Sequence, residues 1–222
     1  MARTIDPLRH AAKRLEILEA ANRCFCRTGL RAIAVSEICA EAGISPGHLY
    51  HYFDCKDDII EELAKGRLDT ARDSLDAALA QDSPAIEILV DEVTALAAGD
   101  RAITAALLFD VLADSARNES IARIVRECHA GMAEALCAVL RQGQADGEID
   151  RSLDPRHAAS MLISLVDAAQ SLSLRDPEMD RQHALQMFAR VIRSFLAPGG
   201  APATIREDKL PHHSVPDHCS QG

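Results

Sequence analysis

Tryptophan is absent from these 222 residues, and the aromatic complement is two tyrosines and five phenylalanines. Any core built from this chain therefore rests on aliphatic side chains. No apolar run approaches the roughly 18 residues of a membrane-spanning helix, and an N-terminus bearing Arg9, Lys13, Arg14 and Glu16 has no signal-peptide pattern. A cytoplasmic location without a membrane partner is the expectation. A Gly-rich phosphate loop, an H-E-x-x-H pair and a nucleophile motif are all missing, so the chain does not read as an enzyme, and no cofactor is expected. Sustained period-2 alternation is missing too, as is any internal repeat.

The seven cysteines form no framework, which suits a reducing compartment where Cys acts as a small apolar residue. Cys24 and Cys26 project about 200° apart on a helix. Cys128 and Cys137 are separated by about 13 Å along one. Neither pair suits a shared metal ion, and His129 beside Cys128 reads as an ordinary polar residue. His212, His213, His218 and Cys219 in the tail could hold a metal loosely, and are read as solvated.

Charge is present and unevenly placed. The whole chain carries −10, but residues 1–56 hold eight Lys/Arg against six Asp/Glu, and the remainder holds 16 against 28. Cationic charge thus sits at one end, while the acidic body would repel a polyanion and help orient its approach.

Both tyrosines fall at that end, in residues 43–56. Ser45 is a good helix N-cap and Pro46 suits the first helical position. Ile44 and Leu49 are spaced as a hydrophobic staple. At about 100° per residue, Leu49 and Phe53 share one side of a helix of two and a half turns with Pro46. Gly47, His48 and His51 fall opposite, flanked by Tyr50 and Tyr52. Such a helix buries little and exposes a face suited to meeting something else. Before it, Val35, Ile38, Cys39 and Ala42 form one buried stripe, and Gly43 supplies the left-handed residue that ends a helix. Two short helices around a Gly-containing turn make a helix-turn-helix, whose second helix enters the DNA major groove. A further helix over residues 11–28 turns Leu15, Leu18, Ala21 and Phe25 inward and closes at Gly29.

The run Ile17-Leu18-Glu19-Ala20-Ala21, then Phe25, Gly29, Val35, Ile38, Ala42-Gly43-Ile44-Ser45-Pro46-Gly47, Leu49-Tyr50, Tyr52-Phe53 and Lys56, resembles the N-terminal domain of TetR-family transcriptional repressors. Tyr50, Tyr52 and Lys56 are then phosphate contacts, with a phosphate held at the helix start formed by Asp54-Cys55-Lys56. Gly47, His48 and His51 are candidates for base edges or groove contact. Ser45 belongs to the same surface. The family usually places Thr or Ser just before its second helix; Ile33 and Ala34 stand there, and Ser36 takes part of that role.

The rest of the chain reads as helix. Asp54 caps a helix to about residue 80 with Ile60, Leu63, Arg67, Ala71, Leu75 and Leu79 on one face. Ser83-Pro84 starts another, ending at Gly99, with Ile86, Leu89, Val90, Val93 and Leu96 inward. A sixth covers about 101–114. Asn118 caps a seventh with the stripe Ile121, Ile124, Val125, Cys128, Met132, Leu136, Val139 and Leu140. Gly143 and Gly147 mark the following loop, and Asp154-Pro155 starts an eighth with Ala158, Met161, Leu162, Leu165, Val166, Ala169 and Leu172 as its stripe. A ninth, over about 177–197, turns Leu185, Phe188, Val191, Ile192 and Phe195 inward.

Asp146-Gly147-Glu148-Ile149 through Asp154-Pro155-Arg156-His157-Ala158-Ala159, then Leu165-Val166-Asp167, is similar, more loosely, to TetR-family regulatory domains. That resemblance implies a four-helix interface across a two-fold axis, to which Leu165, Leu172, Phe188, Val191 and Phe195 are assigned. The alternative is that both helices are simply core.

Together these readings describe an all-α chain of about nine helices. Residues 1–56 form a helix-turn-helix DNA-binding domain, 57–197 a helical-bundle domain for ligand binding and dimerisation, and 198–222 a disordered tail. The implied function is a homodimeric repressor that binds a palindromic double-stranded DNA operator and is released by a small-molecule effector of unread identity. Effector contacts are assigned from helix stripes to Leu63, Arg67, Leu89, Val93, Phe109, Cys128, Met132 and Met161; Arg67 hints at an anionic or polar ligand, or snorkels. Two alternatives stay open: the same DNA-binding fold sensing a metal or oxidant through Cys/His, and an all-helical small-molecule-binding protein without operator binding.

Overall fold

A computed structural model describes residues 7–81, 83–97, 105–176 and 178–199. The expectations for residues 99, 101–104 and 200–222, with the tail histidines and Cys219, lie outside the described residues. Those described form nine α-helices: α1 (Pro7–Thr28), α2 (Val35–Glu41), α3 (Pro46–Leu49), α4 (Lys56–Leu79), α5 (Ala85–Ala97), α6 (Ala105–Ser115), α7 (Glu119–Asp146), α8 (Pro155–Arg175) and α9 (Arg181–Leu196).

Local chemistry accounts for most of the boundaries. The Ser45 hydroxyl accepts the His48 N–H at 3.2 Å, with Pro46 in the first position. Asn118 caps α7 by accepting the Ser120 N–H, and Asp154 caps α8 by accepting the His157 N–H. Gly43 and Gly147 take left-handed φ values of 64° and 79° where α2 and α7 end.

Several readings are corrected. The α3 segment is one turn, Pro46–Leu49, continued by turn residues, so its exposed face is shorter than two and a half turns. Cys55, rather than Asp54, occupies the N-cap of α4. Helix α7 continues through Gly143 to Asp146; an added Cβ at Gly143 would lie 2.6 Å from Ile149 and 2.7 Å from Ala85, so this glycine permits close packing rather than a loop. Leu15 is 57% exposed; Ile17, Leu18, Ala20, Ala21, Cys24 and Phe25 face inward instead. Val191, read as inward, is 47% exposed, and Ile192 beside it is fully buried.

Two apolar cores result. One joins Phe25, Leu30, Ile38, Leu49 and Phe53 to Ile59 and Ile60 of α4, Leu107 of α6, and Ile121 and Ile124 of α7. The other packs α5 against α7, α8 and α9, around Leu89, Leu136, Leu140, Leu162 and Ile192. Because α6 and α7 contribute to the first core, the helix-turn-helix is seated on the larger helical body rather than tethered to it. Among the described residues, no helix is long and apolar enough to cross a membrane.

Candidate nucleic-acid interface and ligand cavity

A single helical turn is too short to hold its own shape, so α3 depends on anchors. Leu49 and Phe53 are buried beneath it. Arg14 of α1 fixes its far end: the guanidinium donates to the Tyr52 carbonyl, pairs with the Glu62 carboxylate of α4, and lies 4.3 Å over the Phe53 ring. The bond to Glu62 holds Arg14 even more firmly protonated than usual. Tyr52 is half-buried between two imidazoles, with ring centroids 4.6 Å from His10 and 5.5 Å from His48. Above these anchors Ser36, Ser45, Gly47, His48, Tyr50 and His51 are exposed. The Ser45 oxygen already accepts the cap bond, and His51 lies in the turn after α3 rather than within the helix.

The N-terminal cations are mostly committed within the protein, which net charge cannot reveal. Arg23 and Arg27 pair with Glu41, Lys13 with Glu16, and Arg31 with Asp114. Ile33 is a core residue, so its side chain is turned away from the surface before α2. Ala34 has no side-chain acceptor; the Glu37 carboxylate instead accepts the Ala34 N–H at 3.1 Å.

Lys56 also has an internal partner. Its ammonium donates to the Leu30 carbonyl at 2.9 Å, and the amides of Asp54 and Cys55 donate to the Asp58 carboxylate at 3.0 and 3.1 Å. An internal carboxylate thus takes the two amides that precede α4, those of Asp54 and the N-cap Cys55. An ammonium has three donors, leaving two directed elsewhere. Lys56→Ala should therefore cost about 1 kcal/mol of stability through the lost bond. It should also lower the salt slope of DNA binding by about one unit per protomer. Thermal melts and a salt titration measure the two separately; an unaltered slope would confine Lys56 to its structural bond.

Behind this surface lies a cavity of about 230 Å³ enclosed by α4 to α8. Its walls are mainly aliphatic, with Leu63, Val93, Leu107, Ile124, Met132, Leu162 and Val166 among them. Of the residues assigned from helix stripes, Leu63, Arg67, Val93, Cys128 and Met132 line it. Three do not. Leu89 is fully buried in the second core, Phe109 of α6 is half-buried away from the cavity, and Met161 is 55% exposed on the outer side of α8. A stripe locates the buried side of a helix but not which neighbour it meets.

Sequence reasoning missed the cavity residues of α6 (Leu107, Leu108, Val111 and Leu112) and the polar pair Asp167 and Gln170 of α8. The signal for that pair was available: polar residues interrupting the apolar stripe of α8, as Arg67 interrupts that of α4. Burial raises the Asp167 carboxyl, while His129 and Arg67 pull it down. Phe25 and Leu30, from the helix-turn-helix side, also line the cavity.

Burial pushes the thiols of Cys24, Cys39, Cys128 and Cys137 up, leaving them protonated and poorly nucleophilic near neutral pH. Cys26 is half-buried and Cys55 exposed. Among the described residues, no group of three or more His, Cys, Asp and Glu side chains could hold a metal ion.

The assigned interface residues divide by depth. Leu165, Leu172, Phe188 and Phe195 are half-buried. Met161, Met187 and Val191 are exposed at 55%, 47% and 47%.

Residues 17–63 match the family model described as bacterial regulatory proteins, tetR family, and residues 85–197 match the BetI-type transcriptional repressor C-terminal model. The chain is 27% identical over 192 residues to the HTH-type transcriptional regulator UidR of Escherichia coli strain K12, covering 82% of this chain and 90% of that protein. Salmonella enterica GusR superposes with a TM-score of 0.69 at 25% identity, over 86% of this chain and 97% of that one. The transcriptional regulator FadR from Bacillus subtilis, solved in complex with stearoyl-CoA, has the same fold, with a TM-score of 0.66 at 22% identity over 82% and 98% of the two chains.

Proposed function

Because the chain belongs to the TetR family of bacterial regulatory proteins, we propose that it is a homodimeric repressor that binds a palindromic operator and is released by a small molecule entering the α4–α8 cavity. The chain is a TetR-type transcriptional regulator; the operator, the dimer and the inducer are the proposed parts. The observation that carries the reading is the double role of α6. One side of this helix supplies Leu107, Leu108, Val111 and Leu112 to the cavity wall. From the same helix, the Asp110 carboxylate accepts the Leu30 N–H at 3.1 Å, and Asp114 pairs with Arg31 at 2.6 Å. Both bonds hold the turn between α1 and α2, which positions the helix-turn-helix.

A ligand that favours a different seating of α6 therefore acts on the spacing of the two α3 segments in a dimer. Its effect equals the difference between its affinities for the two seatings. Exposed Met161, Met187 and Val191 on α8 and α9 support those helices as the surface where a second copy docks.

Selection from random duplexes tests the DNA reading. The wild-type protein should enrich an inverted repeat with half-sites about one helical turn apart, or a multiple of it. His51→Ala should change the enriched sequence more than it changes non-specific affinity, since a good base contact contributes about 1–3 kcal/mol of discrimination. Identical enriched sequences would limit His51 to backbone contact and move base reading to Gly47 and His48. Enrichment of no sequence at all would sink the operator itself.

A further inference from the structure

Three imidazoles gather around one tyrosine on the face proposed to meet DNA. The Tyr52 ring lies between His10 of α1 and His48 of α3, with centroid separations of 4.6 and 5.5 Å, and His51 adds a third ring 6.4 Å from His48. One helical turn beyond His10, Arg14 donates to the Tyr52 carbonyl, so a single face of α1 grips this residue by its ring and by its backbone. His10 is half-buried, whereas His48 and His51 are exposed. No sequence pattern singles out His10, because it lies on a different helix, far from Tyr52 along the chain.

The surrounding charges favour an anion beside these rings. From Pro7 to Leu15, α1 carries Arg9, Lys13 and Arg14 and no carboxylate. Cations at a helix N-terminus oppose the macrodipole, an arrangement that an external anion relieves. The nearby carboxylates accept internal bonds. Glu16 of α1 takes Lys13, Glu41 of α2 takes Arg23 and Arg27, and Glu37 of α2 takes the Ala34 amide. On α4, Glu62 takes Arg14, Glu61 takes Lys65 and Arg123, and Asp58 takes the Asp54 and Cys55 amides. Glu19 of α1, Asp54, and Asp57 of α4 are the other acidic groups of these elements, and Lys56 donates to the Leu30 carbonyl. Among the described residues, neither His10 nor His48 has a carboxylate partner; His157, by contrast, pairs with Asp154 at 3.3 Å. Two imidazolium rings beside Arg14 would crowd like charges in the free protein. A phosphate offsets that cost, and each ring gains a second N–H donor on protonation.

We propose that His10 and His48, on either side of Tyr52, form a proton-linked clamp on a DNA phosphate, with His10 extending the contact surface onto α1. This assignment deepens the DNA-binding reading above and rests on it. It leaves base reading to Gly47 and His51. The phosphate favours the imidazolium form, so the complex keeps its protons to a higher pH than the free protein does. Binding therefore strengthens as pH falls through the range where imidazole titrates, and it levels off once the rings are protonated in both states.

Fluorescence anisotropy with a labelled duplex of random sequence tests the clamp, since a phosphate contact acts on any sequence. The full-length protein is titrated at pH 6 and pH 8 over a series of salt concentrations. Between the two, wild-type affinity should rise about fivefold for each imidazole that meets phosphate, taking the bound ring to titrate about one pH unit higher than the free one. The salt slope should steepen by about one unit for each such ring. His10→Phe keeps a ring against Tyr52 but cannot be protonated. It should fall behind wild type far more at pH 6 than at pH 8, and its slope at pH 6 should be shallower by about one unit per protomer. His10→Gln, also without a charge, should show the same loss of pH response, which guards against a packing defect peculiar to either variant. The acidic body and the other histidines titrate alike in all three proteins, so the differences isolate His10. The clamp is overturned if the variants keep the wild-type pH response, or if they weaken binding equally at both pH values, which would reduce His10 to packing. Either result would leave DNA binding itself standing. A protein that binds no duplex at either pH would overturn the DNA reading and the clamp with it.

Discussion

Val191→Glu should convert the protein to a folded monomer of 24.0 kDa and lower operator affinity by about a hundredfold or more. Val191 is 47% exposed on α9, so the carboxylate costs a single chain little. In a packed interface between α8 and α9 of two copies, each charge would be buried without a partner. One protomer then reads one half-site, and the gain from binding two linked half-sites is lost. The neighbouring Ile192 would be the wrong choice, because it is fully buried within one chain and a charge there unfolds it. Sedimentation equilibrium reads the mass, and circular dichroism checks that helix content persists. Dimers of undiminished mass would place the contact elsewhere.

Asp110→Ala should abolish most of the effector response while leaving ligand affinity nearly intact. Coupling free energies in such proteins correspond to changes in affinity of about 5- to 150-fold, and this ratio should fall toward one. The stability cost is small, about 1 kcal/mol for an exposed carboxylate that accepts one backbone N–H. Gly29→Ala attacks the same contact from the other side. Gly29 has a φ of +84°, where a side chain is strained, and an added Cβ would sit 2.7 Å from the Asp110 carboxylate oxygen. DNA affinity measured with and without a small molecule that raises the melting midpoint of the protein checks both variants. An undiminished response in Asp110→Ala would rule out α6 as the route from cavity to helix-turn-helix.

Both predictions depend on contacts that no local pattern encodes. The seat of α3 illustrates the division. Its start was legible, because Ser45 and Pro46 act within one turn of chain. Its anchor was not, because Arg14 reaches Tyr52 and Glu62 from 38 and 48 residues away. Lys56 shows the same limit: a helix-starting lysine was legible, but the Leu30 carbonyl that receives its ammonium is 26 residues distant.

In the cavity, Arg67 stood out as a charge in an apolar stripe. Whether Leu89 or Leu107 faced the same space depended on how α5 and α6 are rotated and which helix covers each. Apolar side chains are interchangeable to the periodicity that finds them. Leu89 consequently entered the core, Met161 the outer surface, and Leu107 the cavity.

The sequence by itself determined the all-helical class, the TetR resemblance, the caps at Ser45, Asn118 and Asp154, and the left-handed stop at Gly43. Each of these is decided by bonds and dihedrals spanning a few residues. The tertiary structure decided the internal pairing of the N-terminal cations, the cavity's membership, the placing of Gly143 inside a helix, and the hold of α6 on the α1–α2 turn. Those depend on which distant surfaces meet, and charge and hydrophobicity specify that a partner is needed without naming it.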